Sequence, residues 1–192
     1  SDLNDRPVLL AEAATSPAWA WLKGNAGFTD AALQPFAGDL QPFLDDPTAV
    51  LGGLVTSDPF RIRRLGGFEP RTLLLAEEGY QAYGGLVLAP NAFARDNAAA
   101  LRSFIAASAE GWRDYIRGDA SAADALIRKD NPDMTQGLLD QARERLRDYA
   151  IVDGGDAAED AVTQRFDDLT AFNQGAHGHA VVGAAIVFRH DQ

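Results

Sequence analysis

The chain has 192 residues with 28 acidic and 17 basic side chains, a formal net charge of -11, and no cysteine. That charge argues against nucleic acid and anionic membrane surfaces as partners, because polyanions would be repelled and the two lysines and dispersed arginines form no offsetting cluster. The missing cysteines exclude disulfides, thiolate metal sites and cysteine nucleophiles, while 46% hydrophobic and 23% charged residues describe a globular chain able to bury a core.

Arg6 to Ala11 reads as a short buried strand. Ser16 is a good helix cap and Pro17 suits a first helical turn, so a helix carrying Trp19, Trp21 and Leu22 follows, ending near Gly24-Asn25. A short helix near Thr29 to Leu33, a strand around Gln34 to Phe36 and a helical turn ended by Pro47 come next. Leu51 to Thr56 is the following strand, with Gly52-Gly53 permitting close approach of another backbone. Ser57 or Asp58 then caps a helix through Pro59, Phe60, Ile62 and Leu65, which Gly66-Gly67 terminates. Thr72 to Ala76 and Gly85 to Leu88 read as strands, with a loop over Glu77 to Tyr83. Strands alternating with short helices as far as Pro90 predict an α/β lobe with a mainly parallel sheet.

From Asn91 the pattern is helical. Leu101, Phe104, Ile105, Ser108, Trp112, Tyr115 and Ile116 recur at spacings of three and four and define one face of a helix stopped by Gly118. Asp119 caps a second helix that Asn131-Pro132 ends, and Asp133 or Thr135 starts a third. On that third helix Arg143, Glu144, Arg145, Arg147 and Asp148 read as a solvated face opposite Leu138, Leu139, Ala142, Leu146 and Tyr149. Asp153 to Asp160 reads as an acidic loop, and Ala180 to Phe188 as a segment able to supply a strand. The longest apolar runs are too short to span a bilayer.

Two places repeat one arrangement: a strand runs into a hydroxyl pair, a proline and a helix, at Thr15-Ser16-Pro17 and at Thr56-Ser57-Asp58-Pro59. Each offers hydroxyls, free backbone N–H groups and the positive end of a helix dipole at the carboxyl edge of a sheet, where open α/β sheets bind ligands. A small polar or anionic molecule fits between such turns without any catalytic group. Trp19 and Trp21 lie two apart and cannot share a helix face, so one belongs to the core; Trp19, nearer the cap, is the expected stacking surface. Tyr80 and Tyr83 flank a Gly-rich bend, where they line a cleft or pack a hinge. His177 and His179 lack a third ligand and make no metal site, and no Gly-rich phosphate loop or metalloprotease helix is present.

The run from Gly111 to Thr135, with Gly111-Trp112-Arg113-Asp114-Tyr115, the Gly118-Asp119 turn and the Asn131-Pro132-Asp133 step, resembles a segment of the ABC-importer substrate-binding proteins for nitrate, sulfonates and thiamine-pyrimidine precursors. Those proteins also carry a Thr-Ser-Glu-Pro-Tyr turn, matched here by Thr56-Ser57-Asp58-Pro59-Phe60 with a shorter carboxylate and no phenol hydroxyl. The resemblance implies a periplasmic-binding-protein-like (type II) lobe with a mainly parallel sheet over residues 1–88, a helical carboxyl-terminal region over 89–174 that normally completes the first lobe, and a divergent tail over 175–192. It also implies that the family's amino-terminal lobe precedes the Asp2 to Val8 segment and is missing here, leaving an apolar face open to a homodimer.

The function that follows is capture of a small polar or heterocyclic solute, without chemical change, for hand-over to a membrane ABC permease. The ligand-binding residues would be Thr15, Ser16, Trp19, Thr56, Ser57, Asp58 and Tyr83, with no catalytic residue, no metal and no cofactor. The location would be periplasmic or extracytoplasmic, although SDLNDRPVLL has no basic n-region or long apolar core of its own. Two alternatives differ in class. One is a thiamine-pyrimidine-synthase-like enzyme, disfavoured because that family needs a cysteine-rich iron site; the other is a sensory or structural derivative of the binding-protein fold.

Overall fold

Val8, Leu9 and Leu10 are all buried, and this apolar triplet forms β1 (Val8–Leu10), an interior strand of a sheet. In a computed structural model β1 lies parallel to both β2 (Leu33–Pro35) and β3 (Val50–Leu54), with Val8 opposite Leu33 on one side and Val50 on the other. Two further strands, β4 (Pro70–Leu74) and β5 (Ala184–Arg189), complete a five-stranded sheet in the order β2-β1-β3-β5-β4. β5 runs antiparallel to both its neighbours, so β1 to β4 all point the same way. The structure describes residues 3–11, 17–80, 88–152 and 184–189.

The helices between the strands begin and end where local chemistry dictates. α1 (Pro17–Ala26) follows β1 with proline in its first turn. A 3₁₀ turn at Asp30–Ala32 leads into β2, and the Asp39 carboxylate accepts the Gln41 amide at 2.9 Å at the start of α2 (Gln41–Asp45). α3 (Asp58–Gly66) closes on Gly67, whose φ of 71° is left-handed and whose amide bonds the Arg63 carbonyl. One core forms where α2 and α3 cover the sheet: Leu9 and Leu51 pack with Leu40, Phe43, Ala49 and Ile62, edged by Phe36, Leu44 and Phe68.

The chain divides into two compact units, Ser1–Gln81 with Gly183–Gln192, and Ala82–Val182. The end of the tail thus belongs to the first unit, and the strand expected within Ala180 to Phe188 is β5. The expected strand at Gly85 to Leu88 falls largely outside the described residues, as do the acidic loop at Asp153 to Asp160 and His177 and His179.

The second unit is helical where described: α4 (Asn91–Asp96), α5 (Ala98–Arg117), α6 (Ser121–Asp130) and α7 (Gln136–Asp148). Asp119 accepts the Ser121 amide at 2.9 Å, and Thr135 accepts the Leu138 amide at 3.4 Å as the cap of α7. On α5 the buried residues are Ala109 and Ile116, whereas Phe104 and Trp112 of the predicted apolar face remain about half exposed. None of the described helices is long and apolar enough to cross a membrane.

Candidate functional site

Side chains alternate across a strand, so Leu9 and Leu51 face α2 and α3 while Val8, Leu10 and Val50 face the other way. Parallel connections are right-handed, which sets α1 on the side of Val8 and Val50 because the chain moves from β1 to β2 in one direction and from β3 towards β4 in the other. β1 and β3 are therefore adjacent parallel strands whose following helices leave to opposite faces. That is a topological switch point, the position at which open α/β sheets leave a crevice beyond their strand ends. The described turn that flanks it is the β3–α3 turn, Val55 to Ser57.

The β3–α3 turn is held by Asp58. Its Oδ2 accepts the backbone amide of Leu54 at 2.8 Å, and its Oδ1 pairs with Arg61 Nη1 at 3.2 Å. The other guanidinium nitrogen of Arg61 donates to the Gly38 carbonyl at 3.0 Å, joining this turn to the loop between β2 and α2. Asp58 is buried and sits against Gly53, where a methyl group would lie 2.5 Å from Oδ2. The neighbouring Gly52 is covered by the Leu10 side chain, which would overlap any Cβ there. The Gly-Gly pair thus makes room chiefly for two side chains, and not for a second backbone alone. Thr56 and Ser57 are half-buried, and the Ser57 hydroxyl takes no part in capping α3. The first-turn amides of α3 have no intrahelical acceptor, apart from Pro59, which has no N–H.

The tryptophans divide the opposite way to the sequence expectation. Trp19 is a core residue: only 3% exposed, it meets the Phe28 ring edge-on at 5.8 Å and donates its indole N–H to Asp30 at 2.7 Å. At that exposure it has little ring surface left to offer a ligand. Trp21 is the more accessible of the two, with its ring 5.6 Å from that of buried Tyr80 in the segment after β4. The Trp19 indole, with help from Lys23, holds the Asp30 carboxyl below the usual carboxylate range. Thr15, Ser16 and Tyr83 lie outside the described residues.

The second unit contains a polar cluster that periodicity did not reveal. Asp124 of α6 is 1% exposed and accepts the Tyr115 hydroxyl of α5 at 3.1 Å and the Gln136 amide of α7 at 2.7 Å. Arg143 approaches the same carboxylate at 3.8 Å, bonds Asp140 at 2.6 Å, and stands 5.8 Å from the centre of the Tyr115 ring. Burial, followed by the bond to Asp124, pushes the Tyr115 phenol up to about 12. Gln136 and then Arg143 lower the Asp140 carboxyl, and Asp140 in turn raises Arg143. Arg143 consequently leaves the solvated face to which its spacing assigned it. Its neighbours Glu144, Arg147 and Asp148 remain exposed.

The segment that carries the family resemblance is thus a helical knot. Tyr115 supplies a bond between helices, Asp119 a helix start, and Asn131 accepts the Asp133 amide at 3.2 Å in the turn after α6. Among the described residues no group of histidines and carboxylates is arranged to hold a metal ion. No family model, curated protein or solved structure matches the chain.

Proposed function

We propose that this protein is the solute-binding component of an ABC-type importer, built on a periplasmic-binding-protein-like lobe and acting on the extracytoplasmic side of a membrane permease. The observation that carries the reading is the switch point between β1 and β3, with Thr56 and Ser57 in the turn that follows β3; Thr15 and Ser16, which follow β1 in the sequence, complete the proposed binding set. Hydroxyls and helix-start amides bind polar or anionic groups by hydrogen bonding and release them unchanged. Nothing in that set is a nucleophile with an adjacent base, so the proposed role is capture without turnover. The division into two units, with the chain leaving the first near Gln81 and rejoining it near Gly183, is compatible with a two-lobed binding protein.

Thermal denaturation with sodium nitrate, sodium methanesulfonate or an aminopyrimidine tests this. A bound solute raises stability by RT ln(1 + [L]/Kd), about 2.7 kcal/mol at a hundred times Kd. Saturable stabilisation by one of these classes, reduced in Thr56→Ala/Ser57→Ala, is the expected outcome, with the solute recovered intact. No stabilisation by any of the three defeats the proposal.

A further inference from the structure

We infer that Asp58 is a positioning residue of the carboxyl-edge rim and not one of its ligand groups, and that with Arg61 it ties the β3–α3 turn to the β2–α2 loop as one unit. What the rim serves rests on the solute-binding reading above; how it is held rests on geometry alone.

A carboxylate that grips a solute must present at least one oxygen to it. Here one oxygen receives the Leu54 amide and the other the Arg61 guanidinium, in a side chain that is only 10% exposed. Gly53 gives the carboxylate its seat, because any side chain at that position would occupy the place of Oδ2. The arrangement is self-consistent electrostatically: the carboxylate stands in the first turn of α3, at the positive end of the helix dipole, and Arg61 one turn on balances its charge. Arg61 is the strut that reaches beyond the turn, since its second nitrogen holds the carbonyl of Gly38, 23 residues earlier in the chain. On that reading the rim meets a solute with the Thr56 and Ser57 hydroxyls, the Ser57 amide being taken by the Leu54 carbonyl at 3.1 Å, while the buried Asp58 carboxylate acts behind them. The sequence placed Asp58 beside these hydroxyls as an equal partner; its bonds assign it the supporting position.

Amide hydrogen exchange on the full chain tests this without any solute. Asp58→Ala should speed exchange at Leu54 and Ser57 by about tenfold or more while Leu9 and Val50 stay unchanged, because only local bonds are lost. Arg61→Gln should raise exchange at Phe36, whose amide donates to the Leu10 carbonyl at 2.9 Å where this loop leaves β2, and leave Leu54 slow. Should Asp58→Ala not fold, Asp58→Asn serves in its place: the amide oxygen keeps the Leu54 bond, so Leu54 stays slow while Phe36, its loop losing the charged strut, speeds up. Unchanged exchange at Leu54 in Asp58→Ala, or at Phe36 in Arg61→Gln and Asp58→Asn, overturns the inference.

The solute arm separates positioning from direct contact. With whichever of nitrate, methanesulfonate or aminopyrimidine stabilises the wild type, Asp58→Asn and Arg61→Gln should weaken binding by a similar factor, because both loosen one rim, whereas a carboxylate that touched the solute would make Asp58→Asn worse by about tenfold or more. An excess loss of that size in Asp58→Asn overturns the positioning role. If no probe stabilises the wild type, the transport reading fails, and the exchange results alone still decide how the rim is held.

Discussion

Gly53 and Asp58 compete for the same volume: a methyl group on Gly53 would stand 2.5 Å from the Asp58 oxygen that receives the Leu54 amide. Gly53→Ala must therefore displace the carboxylate or the strand. A loss of about 1–3 kcal/mol is expected, as for other overpacked sites, read as a lower urea midpoint. An unchanged midpoint would mean that the turn accommodates the methyl freely.

β5 stands between two strands that reach it from far earlier in the chain, and Val187 lies opposite Leu51 on one side and Thr72 on the other. Proline at this position supplies no amide to an interior ladder and clashes with it. Val187→Pro is expected to lower stability by about 3 kcal/mol or more, with loss of amide protection in both β3 and β4. Protection retained in β4 would show that β5 is dispensable to the sheet.

In the second unit the Tyr115 hydroxyl and the Gln136 amide converge on one buried carboxylate. Tyr115→Phe should cost about 1 kcal/mol, and Asp124→Ala, which strands both donors, about 1–3 kcal/mol. Because the two side chains touch, the double variant should fall short of the sum by about 0.5 kcal/mol or more. Strict additivity in denaturant melts would show that the bond contributes nothing.

Burial of the Tyr115 phenol, and then the same bond, make stability sensitive to alkali. The Tyr115 phenol moves from its ordinary 10.0 to about 12 in the folded chain, so between these values the unfolded chain has released a proton that the folded chain retains. Stability should therefore fall with rising pH across that window and be flat with respect to this group below it. Comparing wild type with Tyr115→Phe isolates the effect; identical alkaline slopes would contradict it.

Trp19 and Asp30 are linked in the opposite sense. The indole N–H is the foremost cause of the lowered Asp30 carboxyl. A depressed folded value adds stability above the ordinary carboxylate range and loses it as pH falls through the folded value. In Trp19→Phe the Asp30 titration, followed by its carboxyl NMR resonance, should move upward towards the ordinary range. A midpoint that stays in place would assign the shift to Lys23 alone.

Helix starts and stops were written locally and could be read so: Pro17 opens α1, Gly67 closes α3, and Thr135 caps α7 through the amide three residues on. Each depends on neighbours in the chain, as does the apolar run that becomes β5. The turn at Thr56-Ser57-Asp58-Pro59 was legible for the same reason, as a short word between a strand and a helix, whereas Thr15 and Ser16 lie outside the described residues.

What only the tertiary structure decided are meetings between residues that no period relates. The strand order put β1 beside β3 and so created the switch point, while Arg61 found Gly38 across two elements. Spacing alone could not say which of Trp19 and Trp21 turns inward, because both choices bury an indole; the Asp30 carboxylate and the Phe28 edge settle it. Nor could it separate Arg143 from the exposed Glu144 and Arg147, since a charged helix face looks uniform until a buried carboxylate on another helix claims one member. Local bonds carry their partners within a few residues of sequence, and these do not: their geometry exists only once the chain has closed on itself.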